Sequence, residues 1–130
     1  MRLGYVILYV VDVPATLEFY ERAFGLKLRF LHESKMYGEL ETGSTALAFA
    51  AEALIELNGI AVRLNRPNDD PAGAEIGLVA DDVATAYRKA ISAGAIAYKE
   101  PTLKPWGQTV GYVRDNNGFL VEICSPMGAS

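Results

Sequence analysis

The sequence predicts an α+β fold assembled from two βαβββ modules, and three observations carry that prediction. The segment DVPATLEFYERAFG recurs as DDVATAYRKAISAG, with Asp12, Ala15, Thr16 and Gly25 returning as Asp81, Ala84, Thr85 and Gly94 at a constant offset of 69 residues. Each copy follows an apolar strand-like run, YVILYVV in the first and EIGLVA in the second. Each also precedes three segments with alternating polarity. A repeat of this kind is the mark of one supersecondary unit used twice, and a site is expected where the two halves face each other.

The elements follow in order. From Leu3 to Val11 the run is β-branched and aromatic and reads as a first strand, with Tyr5, Ile7 and Tyr9 on one face and Val6, Leu8 and Val10 on the other. Asp12 ahead of Pro14 is a helix start, because a carboxylate can accept from free backbone N–H groups and proline is harmless in a first turn. Leu17, Tyr20 and Phe24 then form an apolar stripe at spacings of three and four, and Gly25 supplies a helix end. LKLRFLHE, MYGELET and STALAFAA are three alternating segments separated by Ser34-Lys35 and by Gly43, which completes residues 1–51 as the first module.

Residues 52–73 lose the alternation and gather turn formers in NRPNDDPAG, so they read as a connection with room for a short helical turn at Ala53 to Leu57. The second module, 74–126, repeats the order. A strand at Glu75 to Ala80 leads into a helix at Val83 to Ala93, with Val83, Tyr87, Ala90 and Ile91 on one side. Strands follow at AIAYKE, QTVGYVR and FLVEICS, and Asp115-Asn116-Asn117-Gly118 marks a tight turn between the last two.

With 130 residues, 51% of them hydrophobic, the chain suits a single domain made of two halves. A net charge of −4 with scattered basic residues gives no footprint for nucleic acid. No apolar stretch is long enough to span a bilayer, and the N-terminal run, broken by Tyr9 and Asp12, reads as a strand of a cytoplasmic protein rather than a signal peptide. The one cysteine, Cys124, excludes an internal disulfide.

Asp12 with Phe19-Tyr20 and Gly25, together with PWGQTVGYVRDNNGFLVEI near the end, resemble the vicinal oxygen chelate superfamily, which includes glyoxalase I, extradiol dioxygenases and the fosfomycin- and bleomycin-resistance proteins. Asn116 stands where that family commonly has proline. The resemblance implies two modules whose sheets curl into an open barrel-like cleft, a homodimer, and a small-molecule ligand. Metal-dependent members place His or Glu ligands on four strands, and their positions here would be Tyr5, Ala48, Glu75 and Glu122. A divalent cation wants three or four protein donors. Ala48 offers none, and a phenol with an ordinary pKa of about 10 is a poor ligand at neutral pH.

Alternation puts Glu122 on a face with Leu120 and Cys124, and the family position agrees, so it is expected in the cleft, with a solvated strand end as the plain alternative. Glu75 opens its strand and reads equally well as a surface residue. Two cleft carboxylates without a metal would favour a cationic or hydrogen-bond-donating guest, or would share a proton. Tyr5 and Tyr9 are candidate cleft-lining aromatics or plain core. Ala46, Ala48 and Ala50 either widen a pocket or make room for a neighbouring module. Trp106, between Pro105 and Gly107, suits a rim that could close over a flat guest. His32 reads as a surface hairpin residue and Cys124 as a small core filler.

Two functions remain open on this reading. One is a bleomycin-resistance-like protein that binds a small aromatic or cationic molecule through Tyr5, Tyr9, Ala48, Glu75, Trp106 and Glu122, with no cofactor and no tightly held metal. The other is an enzyme: a divalent-metal-dependent lyase, isomerase or dioxygenase using Tyr5, Glu75 and Glu122, or a metal-free one with Glu122 as general base.

Overall fold

The computed structural model describes residues 1–128. The chain divides into two units, Met1–Asn65 and a second from Arg66 onward. In the first, β1 (Tyr5–Val10), α1 (Val13–Phe24), β2 (Lys27–Leu31), β3 (Tyr37–Glu41) and β4 (Ala46–Ala51) run in the expected βαβββ order, and the short helix α2 (Ala53–Leu57) follows. The second repeats it with β5 (Glu75–Val79), α3 (Val83–Ser92), β6 (Ile96–Leu103), β7 (Thr109–Arg114) and β8 (Leu120–Cys124). Each unit is an open four-stranded sheet, ordered β1-β4-β3-β2 in one and β5-β8-β7-β6 in the other. The first strand of each module is parallel to the last, and the remaining neighbours are antiparallel.

The helix starts correct the repeat by one residue. Asp12 accepts from the Ala15 N–H at 3.0 Å, and Asp82, not Asp81, accepts from the Thr85 N–H at 3.1 Å. The true offset is therefore 70, from Asp12 to Asp82 and from Tyr5 to Glu75. Adjacent aspartates look alike in sequence, but only the one abutting the first helical turn reaches the N–H three residues on.

Tyr20 meets Phe49 with ring centroids 4.9 Å apart, so α1 covers the face of the first sheet that carries Leu40, Leu47 and Phe49. That helix approaches closely at Gly38, where a Cβ would stand 2.6 Å from Leu17 Cδ1. Gly111 has the same part in the second module, since a Cβ there would lie 3.2 Å from Tyr87 Cδ2. Leu17 and Tyr87 are themselves 70 residues apart, so the contact between helix and sheet was duplicated along with the elements. Val113, Val121 and Ile123 are the buried counterpart face under α3.

Boundaries moved where hydrogen bonding decides them. β1 is shorter than the apolar run that predicted it because its register with β4 begins at Tyr5 and Ala46. β6 runs past Glu100 through Pro101 to Leu103, which an irregular edge strand permits. In the 115–118 turn the Asp115 carboxylate accepts from the N–H groups of Asn117 and Phe119, and Gly118 alone takes a positive φ, 87°. Among the described residues no helix is long and apolar enough to cross a membrane.

Candidate functional site

The side chains that the helices leave uncovered include the chemistry-bearing ones. In the second sheet, Glu122 lies opposite Tyr112 on one side and Gly77 on the other, and Glu75 is two residues before Gly77 on the same face. The Tyr112 hydroxyl donates to Glu122 Oε1 at 3.1 Å. The carboxyls of Glu75 and Glu122 lie close enough to act on one another. Burial first, then the neighbouring Glu122 carboxyl and its charge, hold Glu75 above the usual carboxylate range. Burial first, then the bond to Glu122, pushes Tyr112 up to about 12. Cys124, two residues on, is pushed up to about 11 by burial and by Glu122, and its thiol also lies 3.7 Å from the Leu78 carbonyl oxygen.

No Lys or Arg among the described residues forms an ion pair with Glu75 or Glu122. Arg114 shares their face but donates to the carbonyl oxygens of Gly118, Pro67 and Arg66 at 2.9, 3.0 and 3.2 Å. Lys99 is the register partner of Tyr112 on its far side.

This pair makes stability depend on pH in a definite direction. The folded chain holds the Glu75 proton more tightly than the unfolded chain, so unfolding releases it and stability falls as pH rises from the ordinary Glu range through the raised folded value. Urea denaturation across that interval should show the decline in the wild type and not in Glu75→Gln. Parallel profiles would show that the two carboxyls are uncoupled.

The first sheet has its acids on β3 rather than on its first and last strands, and it holds them in a different state. Glu39 lies between Ala48 and Phe30 in the register and is only 6% exposed. The Tyr37 hydroxyl donates to its Oε2 at 2.7 Å, and Arg29 Nη1 donates to its Oε1 at 3.3 Å. The same guanidinium donates from Nε and Nη2 to both oxygens of Glu41, at 2.9 and 2.8 Å. Arg29 occupies the register shift between Leu28 and Phe30, and such a bulge re-aims a side chain toward a face it would otherwise miss. The Glu41 bond raises Arg29 and the Arg29 bond lowers Glu41, while burial and then Glu39 raise the Tyr37 phenol.

The matching bulge of the second sheet lies between Ala97 and Lys99 and is filled by Tyr98. One sheet thus supplies its acids with an internal guanidinium. The other does not.

Among the residues anticipated from sequence, Glu75 and Glu122 come together, and Glu122 is half-buried on the face opposite the helix. Tyr5 is 57% exposed on the edge strand β1. The Tyr9 hydroxyl accepts from Asn58 Nδ2 at 3.4 Å, so it tethers the segment after α2. Ala48 is fully buried opposite Glu39. Trp106 is exposed but oriented, its Nε1 donating to Gln108 Oε1 at 2.9 Å while Gln108 Nε2 holds the Ser125 carbonyl at 2.9 Å. His32 faces Ser34 in the β2–β3 turn.

Sequence reasoning passed over Tyr37, Glu39 and Tyr112. The alternation in MYGELE already put Tyr37, Glu39 and Glu41 on one face, which is the argument that singled out Glu122. Arg29 was hidden by its bulge, since a register shift leaves no residue signature in KLRFL.

The four positions that the family resemblance assigns to a divalent metal do not fit one. They supply a methyl group at Ala48, a phenol at Tyr5 and two carboxylates, whereas a metal centre of this kind needs three or four protein donors. Tyr112 and Cys124 beside the carboxylates are both held in their neutral forms at physiological pH. Among the described residues no three His, Cys, Asp or Glu side chains converge.

Comparison with known proteins gives one family over nearly the whole chain: the Glyoxalase/Bleomycin resistance protein/Dioxygenase superfamily matches residues 2–123. Similar solved structures include a glyoxalase-related enzyme from Fulvimarina pelagi, 22% identical, with a TM-score of 0.82 over 97% of this chain and 88% of that one. A glyoxalase/bleomycin resistance protein/dioxygenase family enzyme from Burkholderia phytofirmans is 23% identical, with a TM-score of 0.79 over 96% and 98%. TioX from Micromonospora is 20% identical, with a TM-score of 0.72 over 96% and 98%. At these identities the likeness is one of fold. No functionally curated protein matches the chain.

Proposed function

The chain belongs to the glyoxalase/bleomycin resistance protein/dioxygenase superfamily, and from that premise we propose that it binds a small organic cation with an aromatic or planar body, without a resident metal. The carrying observation is the contrast between its two sheets. Glu39 and Glu41 hold the Arg29 guanidinium, whereas Glu75 and Glu122 lie on one face of neighbouring strands with no Lys or Arg among the described residues ion-paired to either. Carboxylates pressed together take up either a proton or a cation, and a guest with N–H donors offers each oxygen a charge-assisted hydrogen bond. Tyr112 keeps Glu122 aligned through its hydroxyl. The exposed Trp106 ring, fixed by Gln108, offers an aromatic surface of the kind a planar guest could stack on.

The protein acts as a homodimer on this reading. β1 is an edge strand with Tyr5, Val6 and Ile7 exposed, and it lacks the charge, proline or bulge that guards an unpaired edge.

Benzamidinium and its neutral isostere benzamide test the proposal. Benzamidinium should perturb the backbone resonances of Glu75, Tyr112 and Glu122, benzamide should not, and Glu122→Gln should weaken the cation at least about tenfold, equivalent to about 1.4 kcal/mol. Equal binding of the two compounds would show that charge has no part in recognition. A second reading rests on the same neighbours: Glu75 is shifted toward its protonated form beside Glu122, an asymmetry that suits an acid and a base, with Glu122 to abstract a proton from a bound substrate.

A further inference from the structure

Three glycines lie inside strands, Gly38, Gly77 and Gly111, and none of them takes a positive φ. A glycine within a strand weakens it, because it orders the most flexible backbone and brings no side chain to pack. Two of the three have a reason in the fold. A Cβ at Gly38 would stand 2.6 Å from Leu17 Cδ1 and one at Gly111 3.2 Å from Tyr87 Cδ2, so a helix lies against each. Gly77 has no such neighbour. Apart from the adjoining residues, the one described atom within 4 Å of its would-be Cβ is Glu122 Oε2, at 3.9 Å, which is ordinary van der Waals contact. Neither the backbone nor the packing of the chain asks for glycine there.

The open space adjoins the acid pair. Gly77 faces Glu122 in the β5–β8 register, and Glu75 precedes it by two residues on the same face. Glu122 Oε1 takes the Tyr112 hydroxyl at 3.1 Å, so Oε2 is the oxygen turned over Gly77. The duplication supplies an internal comparison. Seventy residues back, Ile7 stands opposite Ala48, so the first sheet carries the bulk of this cross-strand pair on its first strand. The second carries a carboxylate on its last strand and leaves the place beside it bare. Alanine at position 77 would meet Glu122 at an ordinary distance and restrict the unfolded chain, so folding alone favours it. A strand glycine kept open in this way suits a group from outside that approaches the backbone closely.

Resting on the cation reading, we infer that Gly77 is the specificity-determining residue of the site: it seats a planar head group of the amidinium or guanidinium class flat against its bare backbone, with an N–H donated to Glu122 Oε2 and the charge beside Glu75. A flat cation keeps its donors in plane with the carboxylate while its face rests on the strand. A quaternary ammonium brings methyl groups to the same place and donates nothing.

NMR titration of the intact chain with benzamidinium, with melting temperature and oligomeric state measured on the same variants, tests the seat. Gly77→Ala should hold or raise the melting temperature and weaken benzamidinium several-fold. Gly77→Val, whose methyls fill the space, should weaken it at least about tenfold. Phenyltrimethylammonium should bind the wild type at least about tenfold more weakly than benzamidinium. Undiminished benzamidinium binding in both variants would overturn the seat while leaving the cation reading in place, and equal binding of phenyltrimethylammonium would overturn the planar donor in the same way. A wild type that does not bind benzamidinium would sink both. A lower melting temperature in Gly77→Ala, or a changed oligomeric state in either variant, would assign the glycine to packing within the chain or against a second copy and overturn the inference.

Discussion

Tyr98→Arg should close the second sheet to outside cations. Position 98 occupies the bulge that Arg29 occupies in the first sheet, between residues whose register partners are Val113 and Tyr112. In the first sheet that bulge delivers a guanidinium to Glu39 and Glu41. An arginine installed at the matching bulge is aimed at Tyr112, the counterpart of Glu39, and has to extend one strand further to meet Glu122 on β8. It would compete with any guest at the high effective concentration of a tethered group, in the millimolar range or above. The expected result is loss of benzamidinium binding by at least about tenfold, with the melting temperature held or raised. The pH dependence assigned to Glu75 should shrink as well, since an internal cation favours the charged carboxylates. Tyr98→Gln, which removes the ring and adds no charge, is the control and should still bind. If Tyr98→Arg binds benzamidinium as the wild type does, a guanidinium beside Tyr112 leaves the guest undisturbed and the cation reading loses its support.

The repeat and the strand faces were legible in the sequence because each follows from a period. Alternation along FLVEIC set Glu122 opposite the core face, whereas Glu75 read equally well as a surface residue, and it is the β5–β8 register that brings it beside Glu122. What escaped was whatever a period does not encode. The choice between Asp81 and Asp82 depends on which carboxylate abuts the helix, and with it the match of Leu17 to Tyr87, while Gly38 and Gly111, 73 residues apart, are matched by their helix contacts and by no constant offset. Arg29 and Tyr98 occupy register shifts, where counting by twos fails. Glu39 obeys the alternation as well, but the resemblance assigns Ala48 and carries no signal for its cross-strand partner on β3. The carboxylate missing from β4 has a neighbour on β3 that faces the same way.

Gly118→Ala should be the most damaging small substitution in the second module, and its effect should reach the acid pair. Gly118 has φ +87°, and a Cβ there would lie 2.7 Å from the Arg66 carbonyl oxygen and 2.8 Å from Arg114 Nη2. Its own carbonyl accepts from Arg114 Nε, and Arg114 in turn holds the Arg66 and Pro67 carbonyls. A left-handed alanine costs about 1–2 kcal/mol. Forcing a methyl into occupied space costs about 1–3 kcal/mol more. A loss of about 3 kcal/mol corresponds to a fall of roughly 10 °C in melting temperature for a domain of this size. Gly107 provides the comparison, with φ +90° and nothing within 4 Å of its would-be Cβ. Gly107→Ala should therefore lose only the conformational part, about 1–2 kcal/mol. The Gly118 turn also leads directly into β8, so displacing it moves Leu120 against Arg114 and with it the register that sets Glu122 opposite Tyr112. Thermal denaturation of both variants, with benzamidinium affinity measured on whatever remains folded, separates the effects. Gly118→Ala should lose stability and affinity together, and Gly107→Ala a little stability alone. Equal stability losses would mean that the turn yields to the methyl and that Arg114 does not fix the alignment of β8.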